Sequence, residues 1–257
     1  MGEVVGMRLR IVAWIVLAVG EGATAAVAQQ SGDMHRAPVL VELFTSEGCS
    51  DCPPADRLLS QVDSAQPFAG VHAIVLEEHV TYWDQQGWRD PFSLDAMTDR
   101  QKEYQERFGL GDIYTPQMVV DGAEQFVGSN VQALEKAMAD EAGKPKTVLT
   151  IDGVHLENGS AIFSVHGATV KGARLVAVVA ADATVSHVAN GENAGKTLHH
   201  VAVVRGLKEF GGEAVDGRLL KVSDGNPTGQ LRIVAFLVDH KSGHVLGSAE
   251  ERVSAAQ

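Results

Sequence analysis

The chain has two cysteines, and they stand with two residues between them, as Cys49-Ser50-Asp51-Cys52. A pair so spaced can close a disulfide across one turn of backbone and open it again. The loop is too small to restrict the unfolded chain much, because the entropy a cross-link removes grows with loop length. The pair therefore reads as chemistry rather than as a staple. Cys49 is expected to be the exposed nucleophile of a dithiol–disulfide couple, with Cys52 resolving the mixed disulfide from one turn further in. The alternatives are two inert core cysteines or half of a zinc site, and a structural zinc site needs four ligands where no second cysteine pair exists. A competing function is a binding module in which the cysteines and His79 hold copper or another soft metal, since thiolates favour such ions.

The neighbouring elements must present this pair. Val39 to Thr45 is an apolar run of strand length closed by Ser46-Glu47-Gly48, a turn signal. Pro53 and Pro54 suit a first helical turn, and Ala55, Leu58, Leu59 and Val62 recur at helical spacing, which places the cysteines at a helix N-terminus. The unpaired N–H groups and positive dipole end there stabilise a thiolate. Val71 to Leu76 is a second strand, and strand–helix–strand implies parallel pairing. Asp90-Pro91 and Ser93 introduce another helix, with Leu94, Met97, Tyr104 and Phe108 inward and Gly109 and Gly111 at its end. Met118 to Val120, Asp121-Gly122 and Gln125 to Val127 read as a hairpin. Ser129 with Gln132 matches a capping box opening a last helix. The order is β-α-β-α-β-β-α. After Lys144-Pro145-Lys146, a plausible linker, short apolar runs alternate with Gly, Asn and Asp, the pattern of a small antiparallel β-sandwich.

Further residues bear on chemistry. Glu42 lies mid-strand just before the cysteine loop, either as a buried acid or as a solvent-facing strand residue. His79 ends the second parallel strand, where ligand sites gather; it either holds a proton or steadies the Cys49 thiolate, or is a satisfied structural histidine. Tyr82, Trp83 and Trp88 are candidates for the wall of a substrate groove, or plain core. His199 and His200 are adjacent and point to opposite faces of a strand, and no recognised ligand spacing among the histidines marks a metal site. Asp51, between the cysteines, opposes thiolate formation by like charge, so Cys49 is expected to be less acidic than in strongly oxidising thiol enzymes.

Val41 to Asp56 (VELFTSEGCSDCPPAD), His79-Val80-Thr81-Tyr82-Trp83-Asp84, Gly87-Trp88 and Tyr114 to Gly122 closely resemble a family of secreted bacterial proteins known as domain of unknown function 1223. Gly191 to Gly195 and Val203-Val204-Arg205 look like its C-terminal signature. Thr81 and Ala202 depart from the pattern, standing where an acidic and a polar residue are expected. The resemblance covers nearly the whole mature chain. It implies an α/β protein, a thioredoxin-like domain (37-143) followed by a small antiparallel β-sandwich domain (146-255), and no established reaction. In a thioredoxin-like domain, Pro116 would be a cis-proline facing the sulfurs. Thr115, with Tyr114 before it, would offer backbone to an extended substrate, and Glu42 would match the buried acid that serves the inner cysteine. Gly48 stands where thioredoxin carries a tryptophan.

Composition frames these readings. There are 21 basic and 33 acidic residues, a net charge of −12, which argues against a nucleic-acid groove. Arg8 and Arg10 precede an apolar run, Ile11 to Gly20, too short for a membrane helix, which needs roughly twenty residues. Ala26-Val27-Ala28 follows, so residues 1-28 read as a cleaved signal peptide and the mature chain as periplasmic or secreted, without an integral membrane segment. The expected function is an exported thiol–disulfide oxidoreductase with no cofactor beyond its own redox-active disulfide and no metal. Its partners would be a protein or small thiol substrate and a redox partner. The alternative is a metal- or partner-binding module without turnover.

Overall fold

A computed structural model describes residues 1–2, 36–211, 218–223 and 229–254. The basic and apolar leader, Arg8 to Ala28, lies outside the described residues.

Strand β1 (Ala37–Thr45) and strand β2 (Val71–His79) are buried on both faces over most of their length, as parallel strands covered on two sides are. They pair in parallel from Ala37–Val71 to Thr45–His79, and helix α1 (Pro53–Ala65) makes the crossover. Helix α2 (Asp95–Phe108) ends on Gly109, whose left-handed backbone (φ 64°) turns the chain out of the helix. Strands β3 (Gln117–Val120) and β4 (Glu124–Val127) form the expected hairpin. Helix α3 (Val131–Ala142) is capped by Asn130, whose side chain accepts from the Ala133 N–H at 3.1 Å. The capping residue is thus Asn130 rather than Ser129, because its extended backbone aims the side chain at that orphan donor.

Seven further strands follow: β5 (Leu149–Glu157), β6 (Ser160–Gly167), β7 (Ala173–His187), β8 (Thr197–Gly211), β9 (Arg218–Ser223), β10 (Gln230–Asp239) and β11 (Val245–Ser254). Their sheet membership corrects the expected fold class. The chain is not a thioredoxin-like domain followed by a small antiparallel β-sandwich. It is mostly sheet: one mixed sheet of eight strands in the order β11-β10-β7-β8-β2-β1-β3-β4, a three-stranded sheet β5-β6-β9, and three helices among the described residues. Strand β8 joins β2 in parallel at Glu77–Val203, so strands of the second half extend the sheet begun by the first. The physical reason lies in β7 and β10. Val176 to Ala180 and Leu231 to Val238 are buried throughout, so each strand needs cover on both faces, which an outer sheet of a sandwich does not give.

That cover comes from two sides. Leu40, Ile74, Leu76, Val176, Val178, Val234 and Phe236 form one core with Met97 of α2. On the alternate residues, Val41, Leu43, Val75 and Met118 pack with Ala55 and Leu59 of α1 and Leu134 of α3, and Leu175, Ala177, Ile233 and Ala235 pack with Phe163 and Val165 of the small sheet. The expected linker residue Lys146 is pinned: its ammonium lies against the carboxylates of Asp121 and Glu141 at 2.5 and 2.9 Å.

Candidate functional site

The cysteines lie between β1 and α1. Cys49 and Cys52 form a disulfide with Cα atoms 5.5 Å apart. Cys52 is the N-cap of α1, with proline in its first turn, and its carbonyl accepts from the N–H groups of Ala55 and Asp56. The expected exposure of Cys49 is not what the fold provides. Cys49 is 1% and Cys52 0% exposed, while Ser50 and Asp51 between them face solvent. The Val188–Lys196 turn that joins β7 to β8 is tied to the cysteine loop. The Asn193 side-chain amide donates to the carbonyls of Glu47 (2.9 Å) and Cys49 (2.8 Å), and the Ser50 N–H donates to the Glu192 carboxylate (3.0 Å). Gly191 (φ 79°) lets this turn lie on Trp88, since a β-carbon there would stand 3.0 Å from Trp88 Cβ.

Trp83 and Trp88, two of the residues expected to wall a groove, lie against the same loop. The Thr115–Pro116 bond is cis. Pro116 Cβ and Ala55 Cβ both crowd the open side of Gly128, 3.0 and 3.1 Å from where a β-carbon would sit, so Pro116 lies beside the first turn of α1. The Trp83 indole N–H donates to Thr115 Oγ1 at 2.8 Å. Trp83 also backs Gly48, where an added β-carbon would stand 3.1 Å from Trp83 Cβ; the larger residue found there in thioredoxin has no room. Trp88 Nε1 donates to Glu47 Oε2 at 2.8 Å. Tyr82 lies tilted beside Trp83 with ring centroids 6.5 Å apart. Tyr114 turns instead toward the hairpin, its hydroxyl donating to Gln125 at 2.6 Å.

Glu42 is fully buried, but not with the cysteines. Alternation along β1 puts Val41 and Leu43 toward α1 and Glu42 toward α2. Its two oxygens accept from Arg100 Nε and Tyr104 OH, each at 2.5 Å. Burial alone would raise its pKa; the Arg100 charge and hydrogen bond outweigh that and hold it below the ordinary value. The buried acid on the cysteine side is Asp56, one helical turn after Cys52 and so on its face of α1. Asp56 is 4% exposed and accepts from the Thr45 hydroxyl at 2.7 Å. Burial, then the Glu77 charge, raises its pKa to about 7.

His79 is buried at the end of β2, in a second cluster. Its Nδ1 bonds Asp90 Oδ2 at 2.7 Å, and its ring meets those of His200 (4.8 Å) and Phe92 (5.5 Å) edge to face. His200 Nδ1 bonds Glu77 Oε1 at 2.5 Å. His199 points outward and His200 inward, as adjacent strand residues must. Burial opposes charge at each group, and the opposite charges prevail: His79 draws Asp90 down to about 2, and Glu77 with Glu47 pushes His200 up to about 9. Sequence reasoning singled out His79 but missed Glu47, Asp56, Glu77, Asp90, Asn193 and His200 as its companions. Asp56 had a usable signal, four residues after Cys52. Asn193 stands inside the glycine-bounded C-terminal motif.

Fold and site together define a mostly-sheet protein with a disulfide at the head of a helix and a turn from its own second half bonded to the cysteine loop. The family model described as "Protein of unknown function (DUF1223)" matches residues 40–237, and the chain belongs to that family. Among solved structures it is similar to the crystal structure of protein AGR_C_4864 from Agrobacterium tumefaciens, with a TM-score of 0.63 and 20% identity over 84% of this chain and 94% of that one. At that identity the likeness is one of fold. No curated protein matches the chain. Among the described residues no helix is long and apolar enough to cross a membrane.

Proposed function

We propose that the chain is an exported thiol–disulfide exchange protein whose working group is the Cys49–Cys52 pair. The observation that carries this reading is the position of the disulfide. It closes a four-residue loop at the N-terminus of α1, where it adds little to the stability of the fold and where a released thiolate meets the helix dipole.

The exchange runs as follows. A substrate thiolate attacks Cys49 Sγ, a substrate–Cys49 disulfide forms, and the Cys49–Cys52 bond breaks. Cys52 leaves as a thiolate and takes a proton from Asp56. A second substrate thiolate then attacks the substrate sulfur of the mixed disulfide. Substrate leaves as a disulfide and Cys49 as a thiolate, so the pair is reduced by two electrons. The reverse sequence oxidises it. Because both sulfurs are covered, attack follows displacement of Glu192 and Asn193, so this is a gated pair rather than an open one. Trp83, packed on Gly48 and bonded to Thr115, flanks the cysteine loop.

The test is trapping. Cys52→Ser is expected to accumulate mixed disulfides at Cys49 when incubated with a thiol-activated peptide disulfide, and the wild-type pair to equilibrate with a glutathione buffer at a definable potential. A Cys52→Ser protein that forms no adduct at Cys49, together with a wild-type pair inert to such buffers in the folded state, would overturn the proposal.

A further inference from the structure

The cluster at the end of β2 holds more donor atoms than its own hydrogen bonds consume. Glu47 Oε1, His79 Nε2 and His200 Nε2 are buried, and none makes a hydrogen bond. Glu77 Oε1 lies 3.5 Å from His79 Nε2, and Glu47 Oε1 lies 3.3 Å from His200 Nε2. Leaving such a group unsatisfied costs about 1–3 kcal/mol, and His79 Nε2 meets Glu77 Oε1 only at 3.5 Å. One donor atom from each of Glu77, His79 and His200 falls within 4.8 Å of the other two. Ligands at about 2.0–2.2 Å from a common ion stand roughly 3–3.5 Å apart, so closure asks only for small side-chain adjustments.

We propose that Glu77 Oε1, His79 Nε2 and His200 Nδ1 hold a divalent cation of the zinc class, with Glu47 Oε1 facing the other ring nitrogen of His200. Two imidazoles and carboxylate oxygens suit a borderline ion, whereas a cuprous site calls for sulfur, which the disulfide withholds. The outer arrangement fits as well. His79 offers Nε2 because its Nδ1 is tied to Asp90 at 2.7 Å, the carboxylate–histidine arrangement that orients a metal-bound imidazole. Asp90 is fixed in turn, accepting from the Glu47 and Phe92 N–H groups, each at 2.8 Å. Bound there, the ion would replace the protons on His79 Nε2 and His200 Nδ1 and balance the buried carboxylates. Glu47 also carries Trp88 and its carbonyl anchors Asn193, so the ion would brace the turn tied to the cysteine loop.

The experiment uses the full mature chain and cobalt(II) as a visible probe, displaced by zinc(II). The expected result is one cobalt per chain with the absorption bands of nitrogen–oxygen coordination, loss of the bands on adding zinc, and a rise in melting temperature with zinc that EDTA reverses. His200→Gln and Glu77→Gln are expected to lose the bands. Asp90→Asn keeps all the ligands and is expected to weaken binding about 10- to 100-fold. Cys49→Ser/Cys52→Ser is expected to bind as the wild type does, which separates this site from the redox reading. A wild-type chain with no cobalt bands and no zinc-dependent melting shift would overturn the proposal. So would binding that survives in Asp90→Asn unchanged or vanishes with the cysteines.

Discussion

Two buried ionic clusters lie back to back on β1 and β2, and they are built differently. On the α2 side, Glu42 meets Arg100 and Tyr104, so both of its oxygens are engaged. Glu78 beside them is pushed toward its neutral form, its pKa raised well above the ordinary value by burial and then by the Glu42 charge. One cation faces one anion, and the guanidinium also lies over the rings of Tyr104 and Phe236. On the α1 side, Glu77, His79, His200, Glu47, Asp90 and Asp56 are drawn from three strands or their following loops and one helix, and several of their atoms have no hydrogen bond. A buried ion pair whose geometry closes is a structural element. Unbonded atoms occur on both sides, Glu78 Oε1 and Oε2 on the first and Glu47 Oε1, His79 Nε2 and His200 Nε2 on the second; what sets the second apart is that it joins two imidazoles to carboxylates. The cysteine loop stands on that second face.

The largest expected effect breaks the closed cluster. Glu42→Gln leaves Arg100 buried without its anion and is expected to lower unfolding stability by about 3–5 kcal/mol, measured by urea denaturation, with cobalt binding unchanged. The same cluster sets an acid limit. Because the Glu42 pKa is lowered in the folded state from 4.5, its stabilisation is present above that value and lost as pH falls through the folded pKa. The wild type should therefore lose stability below about pH 4.5 more steeply than Glu42→Gln; equal slopes would remove the assignment of charge to this pair. Next in size is Asp56→Asn, which keeps the oxygen that accepts from Thr45 but cannot give Cys52 a proton. Thiol exchange is expected to slow about 100-fold in stopped-flow measurements, with the melting temperature little changed; an unaltered rate would remove Asp56 from the exchange. Asn193→Ala removes two of the three hydrogen bonds that tie the turn to the cysteine loop and is expected to speed reduction by dithiothreitol about tenfold. A slower or unchanged rate would mean that this turn does not gate the sulfurs. The smallest effect is that of Trp83→Phe, which frees Thr115 Oγ1 and is expected to cost about 1 kcal/mol in thermal unfolding without altering cobalt affinity.

What the sequence disclosed follows the range of the interactions. Apolar periodicity and proline placed Cys52 at the head of a helix, because that is set within a few residues; the cis bond before Pro116 was expected only from the resemblance. Sheet membership was not legible. A run such as Leu231 to Val238 has the same pattern whether it lies in a sheet of its own or extends a neighbour's. Glu42 was visible as an acid in an apolar strand, but its partner lies 58 residues away on α2. His200 meets Glu77 across 123 residues and Asn193 meets Cys49 across 144. No local spacing reveals such pairs, and the exposure expected for Cys49 failed for that reason.

The seam between β2 and β8 carries a practical consequence. A fragment ending after α3 would retain both sulfurs yet forfeit Asn193, Glu192 and His200, and would bare one flank of β2 as an unpaired rung of amides and carbonyls. Such a truncation is a candidate for self-association through that flank. For protein engineering, the cysteine loop is therefore not a portable cassette: it travels only with the distant turn bonded to it.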